Sequence, residues 1–325
     1  MISIQEIRTQ ENKIIILGSH EPIIQSIFDF DYLSGKKEGS VVGIVTGRRG
    51  VAKYFFGRRE ILIPTLGSSS DLSALRSDSK GEIGTSAAKN YWFLNLLSGR
   101  RTLSSTFDAL KAKVIGGAIF AENVPELHTL QVIDKTKEKQ ALIVGPASVG
   151  LLVPGVLKLG PIGGITPEQI LEAKLTEPGS VAVLSASGGM TGELINIATY
   201  YGHKLSFALS FGGDRFPVLS PREAFLLAES DPQTKTVLYY GELGGVDEYE
   251  LVKLKEEGKF TKQVIAHIAG TVADLFPESP QFGHAKAKAD KERTTARAKR
   301  AALKSAGFGV SNSFTEFIEL VNKLK

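Results

Sequence analysis

Val181-Ala182-Val183-Leu184-Ser185-Ala186-Ser187-Gly188-Gly189-Met190-Thr191-Gly192-Glu193-Leu194 runs from an apolar segment through four small residues into a helical pattern. Four apolar residues closed by a serine have the length of a strand buried on both faces of a parallel sheet. Ser185, Ser187, Gly188 and Gly189 carry little side chain, so backbone N–H groups can converge there on an anion. A helix starting near Thr191 would add its positive end, a contribution of about 0.3–1 kcal/mol when exposed and up to ~2 kcal/mol when partly buried. Glycines in this place equally serve a tight turn and close helix–strand packing. The loop alone is therefore compatible with an anion site or with packing.

The same unit recurs outward from this stretch. "LSFALSFGGD", "KTVLYYGELGG", "QVIAHIAG" and "GFGVSNS" follow it, separated by the helical stretches "TGELINIATYYG", "SPREAFLLAES" and "EYELVKLKEEG". Before it, "KIIILGS", "SVVGIVTG", "EILIPTL", "YWFLNLLS", "VIGGAIF" and "QALIVGP" are short Ile/Val/Leu-rich runs, several ending in Gly, Ser or Thr. "SSTFDALKAK" lies between two of them, with Phe107, Leu110 and Val114 at helical spacing. "GPASVGLLVPGVLKLGPIGG" has no clear periodicity and reads as the connection between domains. The expected fold class is α/β, doubly wound in both halves, with the second half flavodoxin-like and a boundary giving domains 1–147 and 148–325. Ligands of such sheets bind at the carboxyl ends of the strands.

Composition narrows the function. The 325 residues are 42% hydrophobic, enough for two ordinary cores, and no apolar run approaches the ~20 residues of a membrane span. The N-terminus is polar and carries acids, unlike a signal or transit peptide, so the cytoplasm is the default compartment. Without cysteine, disulfides, thiolate zinc sites and a cysteine nucleophile are excluded. A formal net charge of +4 suits anionic small-molecule ligands.

Among five histidines, His284 is set apart in "QFGHAK", between Gly283 and Ala285 and ahead of a basic run. A metal role lacks partners at ligand spacing, and no metal is expected. A catalytic triad lacks a G-x-S-x-G elbow. General base stays open, and phosphate acceptor fits best, because an imidazole nitrogen is a good nucleophile near neutral pH. Glu242, between glycines after a strand, is the candidate to orient the ring. Gly212, Gly213, Asp214 and Arg215 close another strand, where the acid and the arginine could pair with each other. His267 reads as packed; His20, His128 and His203 read as solvent-facing.

Taken in order, "SASGGMTGEL", "GGDRFP", "GELGGVDEYE" and "QFGHAKA" resemble the α-type chain of the succinyl-CoA synthetase and ATP-citrate lyase family, and the 145–164 connection is similar to that family's G-P-x-x-x-G…P-G…K-x-G segment. "FDFDYLSGKKEGSVVGIV", "EILIP", "SGGM" and "QFGHA" resemble its citryl-CoA-forming branch. The resemblance runs from about residue 10 to the C-terminus. It implies an N-terminal Rossmann-like CoA-binding domain followed by a flavodoxin-like domain with a phosphohistidine loop. It also implies the small subunit of an ATP-dependent acid–CoA ligase, because neither an ATP-grasp portion nor a lyase domain is present in the chain.

The residue roles come with it. His284 matches the phosphorylated histidine, Glu242 its hydrogen-bonding glutamate, and Glu122 in "FAENVPE" a second glutamate nearby. Ser185, Ser187, Gly188 and Gly189 match the phosphate and substrate loop, the two glycines leaving room for citrate. Ser98 and Arg100 in "LLSGRR" match CoA contacts. ATP and magnesium would be bound mainly by a partner ATP-grasp, β-type subunit in a hetero-oligomer, with CoA and citrate as the small molecules. Succinate as substrate and a non-catalytic CoA-binding regulatory subunit are the alternatives. Three departures stand out: "IIILGSHEPIIQ" lacks a full G-x-G-x-x-G, Ala186 stands where relatives often carry arginine, and Lys286 replaces a small residue. The basic run 286–304 is expected to be a solvated or subunit-facing helix. It is not read as nucleic-acid binding, since it lacks interleaved aromatics and holds Asp290 and Glu292.

Overall fold

The computed structural model describes residues 1–68, 71, 89–284, 287–289 and 291–324. Ala285, Lys286 and Asp290, singled out above, lie outside the described residues. The first sheet holds β1 (Glu11–Leu17), β2 (Val41–Val45), β3 (Gly50–Phe56), β4 (Arg59–Leu66), β5 (Lys89–Asn95), β6 (Gly116–Ile119) and β7 (Leu142–Val144), in the order β3-β4-β2-β1-β5-β6-β7. Its helices are α1 (Ile4–Thr9), α2 (Glu21–Leu33), α3 (Thr102–Lys111) and α4 (Glu126–Lys139). Every pairing is parallel except β3 with β4. Leaving out that antiparallel edge, the parallel strands run 3-2-1-4-5-6, the Rossmann order, which reverses between β1 and β5.

The second sheet holds β8 (Leu151–Val153), β9 (Leu157–Leu159), β10 (Val181–Ser185), β11 (Leu205–Ser210), β12 (Thr236–Gly241), β13 (Gln263–Ile268) and β14 (Gly309–Val310), in the order β14-β13-β12-β10-β11-β8-β9. Its helices are α5 (Pro167–Glu172), α6 (Gly188–Tyr200), α7 (Pro221–Ser230), α8 (Asp247–Glu256), α9 (Ala296–Ser305) and α10 (Phe314–Asn322). Counted from β10, the parallel strands run 2-1-3-4-5, the flavodoxin order, with the reversal between β10 and β12. All five residues of β10 are buried, as a strand covered on both faces requires.

Three expectations change. The 145–164 segment is not a bare connection: β8 and β9 form an antiparallel hairpin about Pro154–Val156 that pairs with β11. Gly155, at φ +71°, makes that turn, and its Pro-Gly was the readable signal. The edge strand β3 was not foreseen, although Tyr54 and Phe56 alternate inward with Lys53 and Phe55. Among the described residues of the basic run, a short 3-10 turn at Glu292–Thr294 precedes α9, and the α-helix starts only at Ala296, where Thr295 caps it by accepting from Ala298 N at 3.2 Å.

One apolar cluster joins the two sheets, taking in Ile14 and Trp92 from the first and Leu184 and Phe207 from the second. Polar ties reinforce it. Buried Lys158 donates to Ser26 Oγ of α2 at 2.9 Å and to Gly160 O at 2.8 Å, and burial pushes its ammonium down to about 7. Arg8 of α1 forms a bidentate pair with Asp231 at 2.5 and 2.9 Å. Among the described residues, no helix is long and apolar enough to cross a membrane.

The Arg8–Asp231 pair yields a pH test. Burial raises the Asp231 carboxyl, but hydrogen bonds from Arg8 and Thr234 outweigh it and leave the group below its usual value. A depressed carboxylate contributes stability above its unfolded pKa of about 3.9, and loses it as pH falls through the folded value. Asp231→Asn is expected to cost about 3 kcal/mol in urea unfolding at pH 7, with the gap to wild type narrowing below about pH 4. A gap indifferent to pH between 3 and 7 would contradict this assignment.

Candidate functional site

The reversal between β10 and β12 opens a crevice at their carboxyl ends. Ser185, the last residue of β10, donates to Tyr240 O at 3.1 Å and accepts from Ser187 N at 3.0 Å, which stitches the two strands' exits together. Ser187 caps α6 by accepting from Met190 N at 3.4 Å, so the helix begins at Gly188 rather than near Thr191. The two glycines differ in kind. A Cβ on Gly188 would lie 2.5 Å from Val149 Cγ1, so packing requires that glycine, whereas a Cβ on Gly189 would meet nothing within 4 Å. Only Gly189 therefore leaves room, and it opens on a surface cavity of about 630 Å³ that also reaches Gly163, Gln169, Gly192 and Asn196.

His284 comes to this crevice from the far end of the chain. Its Nδ1 lies 2.8 Å from Glu242 Oε2 and 3.1 Å from Oε1. A carboxylate only accepts, so Nδ1 is the donor and the neutral ring carries its lone pair on Nε2. The side chains are 28% exposed for His284 and 17% for Glu242, so the pair is shielded yet reachable. The ring rests on Gly213, where a Cβ would come 2.6 Å from Nε2. Two backbone hydrogen bonds tie the segment that carries it to Ala287: Phe282 N donates to Ala287 O at 2.9 Å, and Ala287 N to His284 O at 2.9 Å. Gly283 takes φ +61°, a left-handed conformation that suits glycine.

Asp214 and Arg215 do not pair with each other. Asp214 accepts from Asn123 N at 3.3 Å and Val124 N at 3.2 Å, tying the loop after β11 to the loop after β6, while Arg215 reaches Glu126 at 3.4 Å. The backbone donors explain the choice, since they pair a half-buried acid that would otherwise lack a partner there. Burial pushes the Asp214 carboxyl up; those two N–H groups oppose it, Glu122 adds to it, and His284 pulls it back down. Glu122 is exposed on the same loop, so it joins the group through Asp214.

Ser98 and Arg100 sit at the first sheet's own reversal, after β5, and both are exposed. Gly18, directly after β1 and at φ +97°, lets the chain pass close to that loop, since a Cβ there would lie 3.2 Å from Leu97 N. Gly99 abuts the Glu122 loop, its own Cβ position being 3.2 Å from Glu122 O. A continuous line of strand-end loops thus leads from Ser98 and Arg100 past Glu122 and Asp214 to His284 and Glu242.

The other histidines play no part in this group. His267 is buried with Nδ1 2.9 Å from Ser311 Oγ, and burial together with Arg300 brings it down to about 4. His203 is not simply solvent-facing, since its Nε2 lies 3.0 Å from Val321 O. Among the described residues, no three His, Asp or Glu side chains gather as a metal site. Sequence reasoning missed Lys299, buried under the Glu242 turn with Nζ 2.6 Å from Glu242 O. It also missed Gly213 as the seat of the imidazole. The paired glycines of "FGGD" were its only signal.

The comparisons with known proteins agree in their direction. Residues 184–308 match the CoA-ligase family. The chain is 35% identical to human ATP-citrate synthase over 319 residues, 97% of this chain and 28% of that protein. It is 39% identical to ATP-citrate synthase beta chain protein 1 of Arabidopsis thaliana over 302 residues, 92% of this chain and 48% of that one. Among solved structures, Methanosaeta concilii ATP citrate lyase in complex with (3S)-citryl-CoA has a TM-score of 0.89 at 33% identity, over 98% of this chain and 50% of that one. ATP citrate lyase from Methanothrix soehngenii, in complex with citrate and coenzyme A, gives 0.89 at 32% over the same shares. The chain thus spans half or less of the length of these proteins.

The seat of the ring can be tested without reference to any reaction. Gly213→Val should push the imidazole off Glu242, and the ¹⁵N resonances of His284 should move toward those of a free, rapidly exchanging ring. Unchanged resonances in the folded variant would show that Gly213 does not hold it.

Proposed function

We propose, for a chain that carries a CoA-ligase family domain and is homologous to part of the ATP-citrate synthases and of archaeal ATP citrate lyase, that it is the phosphohistidine subunit of a citryl-CoA synthetase, forming citryl-CoA from citrate, CoA and ATP. The observation that supports this reading best is the Glu242–His284 contact at 2.8 Å, which directs the ring's lone pair to Nε2. The two solved relatives that hold (3S)-citryl-CoA, or citrate with coenzyme A, favour citrate over succinate as the acid. We assign residues 1–147 to CoA binding, with Ser98 and Arg100 as contacts, and residues 148–325 to the ligase chemistry. A partner ATP-grasp subunit would hold ATP and magnesium.

Under this reading Nε2 of His284 attacks the γ-phosphorus of ATP; an N–P bond forms as the P–O bond to ADP breaks. Glu242 accepts from Nδ1–H and offsets the positive charge that grows on the ring. The backbone N–H groups at the start of α6, beside Gly188 and Gly189, suit the transferred phosphoryl group. A citrate carboxylate oxygen then attacks phosphorus, the N–P bond breaks, and citryl phosphate results. The CoA thiolate attacks its acyl carbon and phosphate leaves. Working through a phosphate avoids expelling hydroxide from a carboxylate, which is the barrier in direct thioester formation.

With the ATP-grasp partner supplied, ATP-dependent thioester formation should be faster with citrate than with succinate. His284→Ala should abolish it, and Glu242→Gln should lower kcat by about 10²-fold. Full activity in His284→Ala would leave a regulatory CoA-binding subunit, and a preference for succinate would overturn the choice of acid.

A further inference from the structure

The basic run that follows His284 has no part in the chemistry above, and its helix is not simply solvated. Lys299 and Arg300 of α9 both turn inward, and Lys299 is only 1% exposed. Arg300 donates to Ile268 O and, at 2.8 Å, to Asn312 O, binding the ends of β13 and β14. Lys299 reaches a different target. Its Nζ donates to Glu242 O at 2.6 Å and to Gly244 O, and it lies 2.8 Å from Glu248 Oε2, itself 2% exposed. An ammonium has three N–H bonds and no acceptor, and here it faces three acceptors, two of them carbonyls of one turn.

That turn carries the carboxylate that holds His284. Gly244 and Gly245 take φ +80° and +57°, so the backbone leaves β12 in a left-handed conformation that puts its carbonyls on one side. Gly244 N donates to Thr294 O at 2.8 Å, so the segment leading into α9 grips the same turn. Gly241, just before Glu242, has no side chain where the Glu248 carboxylate tucks in; a Cβ there would run into it. Stability alone does not call for this arrangement. A buried ion pair is generally no better than apolar side chains of equal volume, and lysine is rarely buried without a specific partner. What an apolar residue could not do is hold two carbonyl oxygens of the Glu242 turn.

We infer that Lys299 is a positioning residue: it fixes the Glu242–Gly245 backbone so that the Glu242 carboxylate stays on Nδ1 of His284. The consequence for catalysis rests on the phosphohistidine reading, while the effect on the ring does not. Glu242 can tilt away once the two carbonyls are released, and the imidazole then populates both tautomers. The segment after His284 therefore presents the histidine and also reaches back to set its proton.

The test uses the chain labelled with ¹⁵N-histidine, His284 being assigned from the resonance missing in His284→Ala. Thioester formation is measured in parallel with the ATP-grasp partner present. The double variant Lys299→Met/Glu248→Gln removes the clamp without stranding a buried charge. It should remain folded, show His284 as a mixture of Nδ1–H and Nε2–H tautomers, and lose roughly tenfold in kcat with KM for citrate and CoA within about twofold. Arg300→Met, which removes the neighbouring buried cation, should lose stability but keep both the Nδ1–H spectrum and kcat. If the double variant does not fold, Lys299→Gln decides, since its amide offers two N–H bonds in place of three and should give an intermediate mixture. A wild-type tautomer spectrum in the folded double variant or in Lys299→Gln would overturn the inference, as would a mixed spectrum with unchanged kcat in an enzyme shown to phosphorylate His284. If the wild type forms no phosphohistidine at all, the functional reading fails instead, and the tautomer spectra still decide whether Lys299 sets the ring.

Discussion

A hydrogen bond from Nδ1 of His284 to the Glu242 carboxylate, 2.8 Å long, is the contact on which the site depends. Imidazole has two nitrogens of similar basicity, and only a fixed acceptor decides which one carries the proton. Holding that acceptor in place engages much of the second sheet. Glu242 must leave β12 beside the exit of β10, the Ser185 hydroxyl must join those exits, and Gly213 must leave a seat for the ring. The flavodoxin order supplies the first of these, because its reversal falls between β10 and β12, and it sets β11, which leads to Gly213, on the other side of β10.

The first sheet makes a parallel contribution. Its reversal places Ser98 and Arg100 after β5, and the loop after β6 carries Glu122 toward Asp214. Two sheets of different order thus set their switch-point loops along one line. The apolar cluster shared between them and the Arg8–Asp231 and Lys158–Ser26 contacts keep those loops in register. The proposed reaction, in which a phosphoryl group passes from a histidine to an acid and the acyl group of that acid then passes to a thiol as phosphate leaves, is well served by such a row of loops.

Much of this was legible in the chain. Strands such as β1, β10 and β12 announced themselves as buried apolar runs ending in small residues, because a strand covered on both faces has few other compositions available. His284 stood out behind Gly283 and Glu242 between Gly241 and Gly244, glycines that mark places where the backbone can turn sharply. What stayed hidden depends on long-range packing. The β8–β9 hairpin is too short for periodicity to register, and only its Pro-Gly turn betrays it. Gly188 reads like Gly189 in sequence, yet one is set by Val149 and the other borders open space. Lys299 sits in a run of lysines and arginines, and nothing local distinguishes the one that points inward.

Which nitrogen of His284 takes up phosphorus can be read by ³¹P NMR. Incubating the ¹⁵N-histidine-labelled chain with ATP and the proposed ATP-grasp subunit should give one phosphoramidate resonance coupled to Nε2 of His284, and adding citrate and CoA together should discharge it. Phosphate attached at Nδ1, or carried by another residue, would contradict the account, because Glu242 would then not be holding the nitrogen it faces.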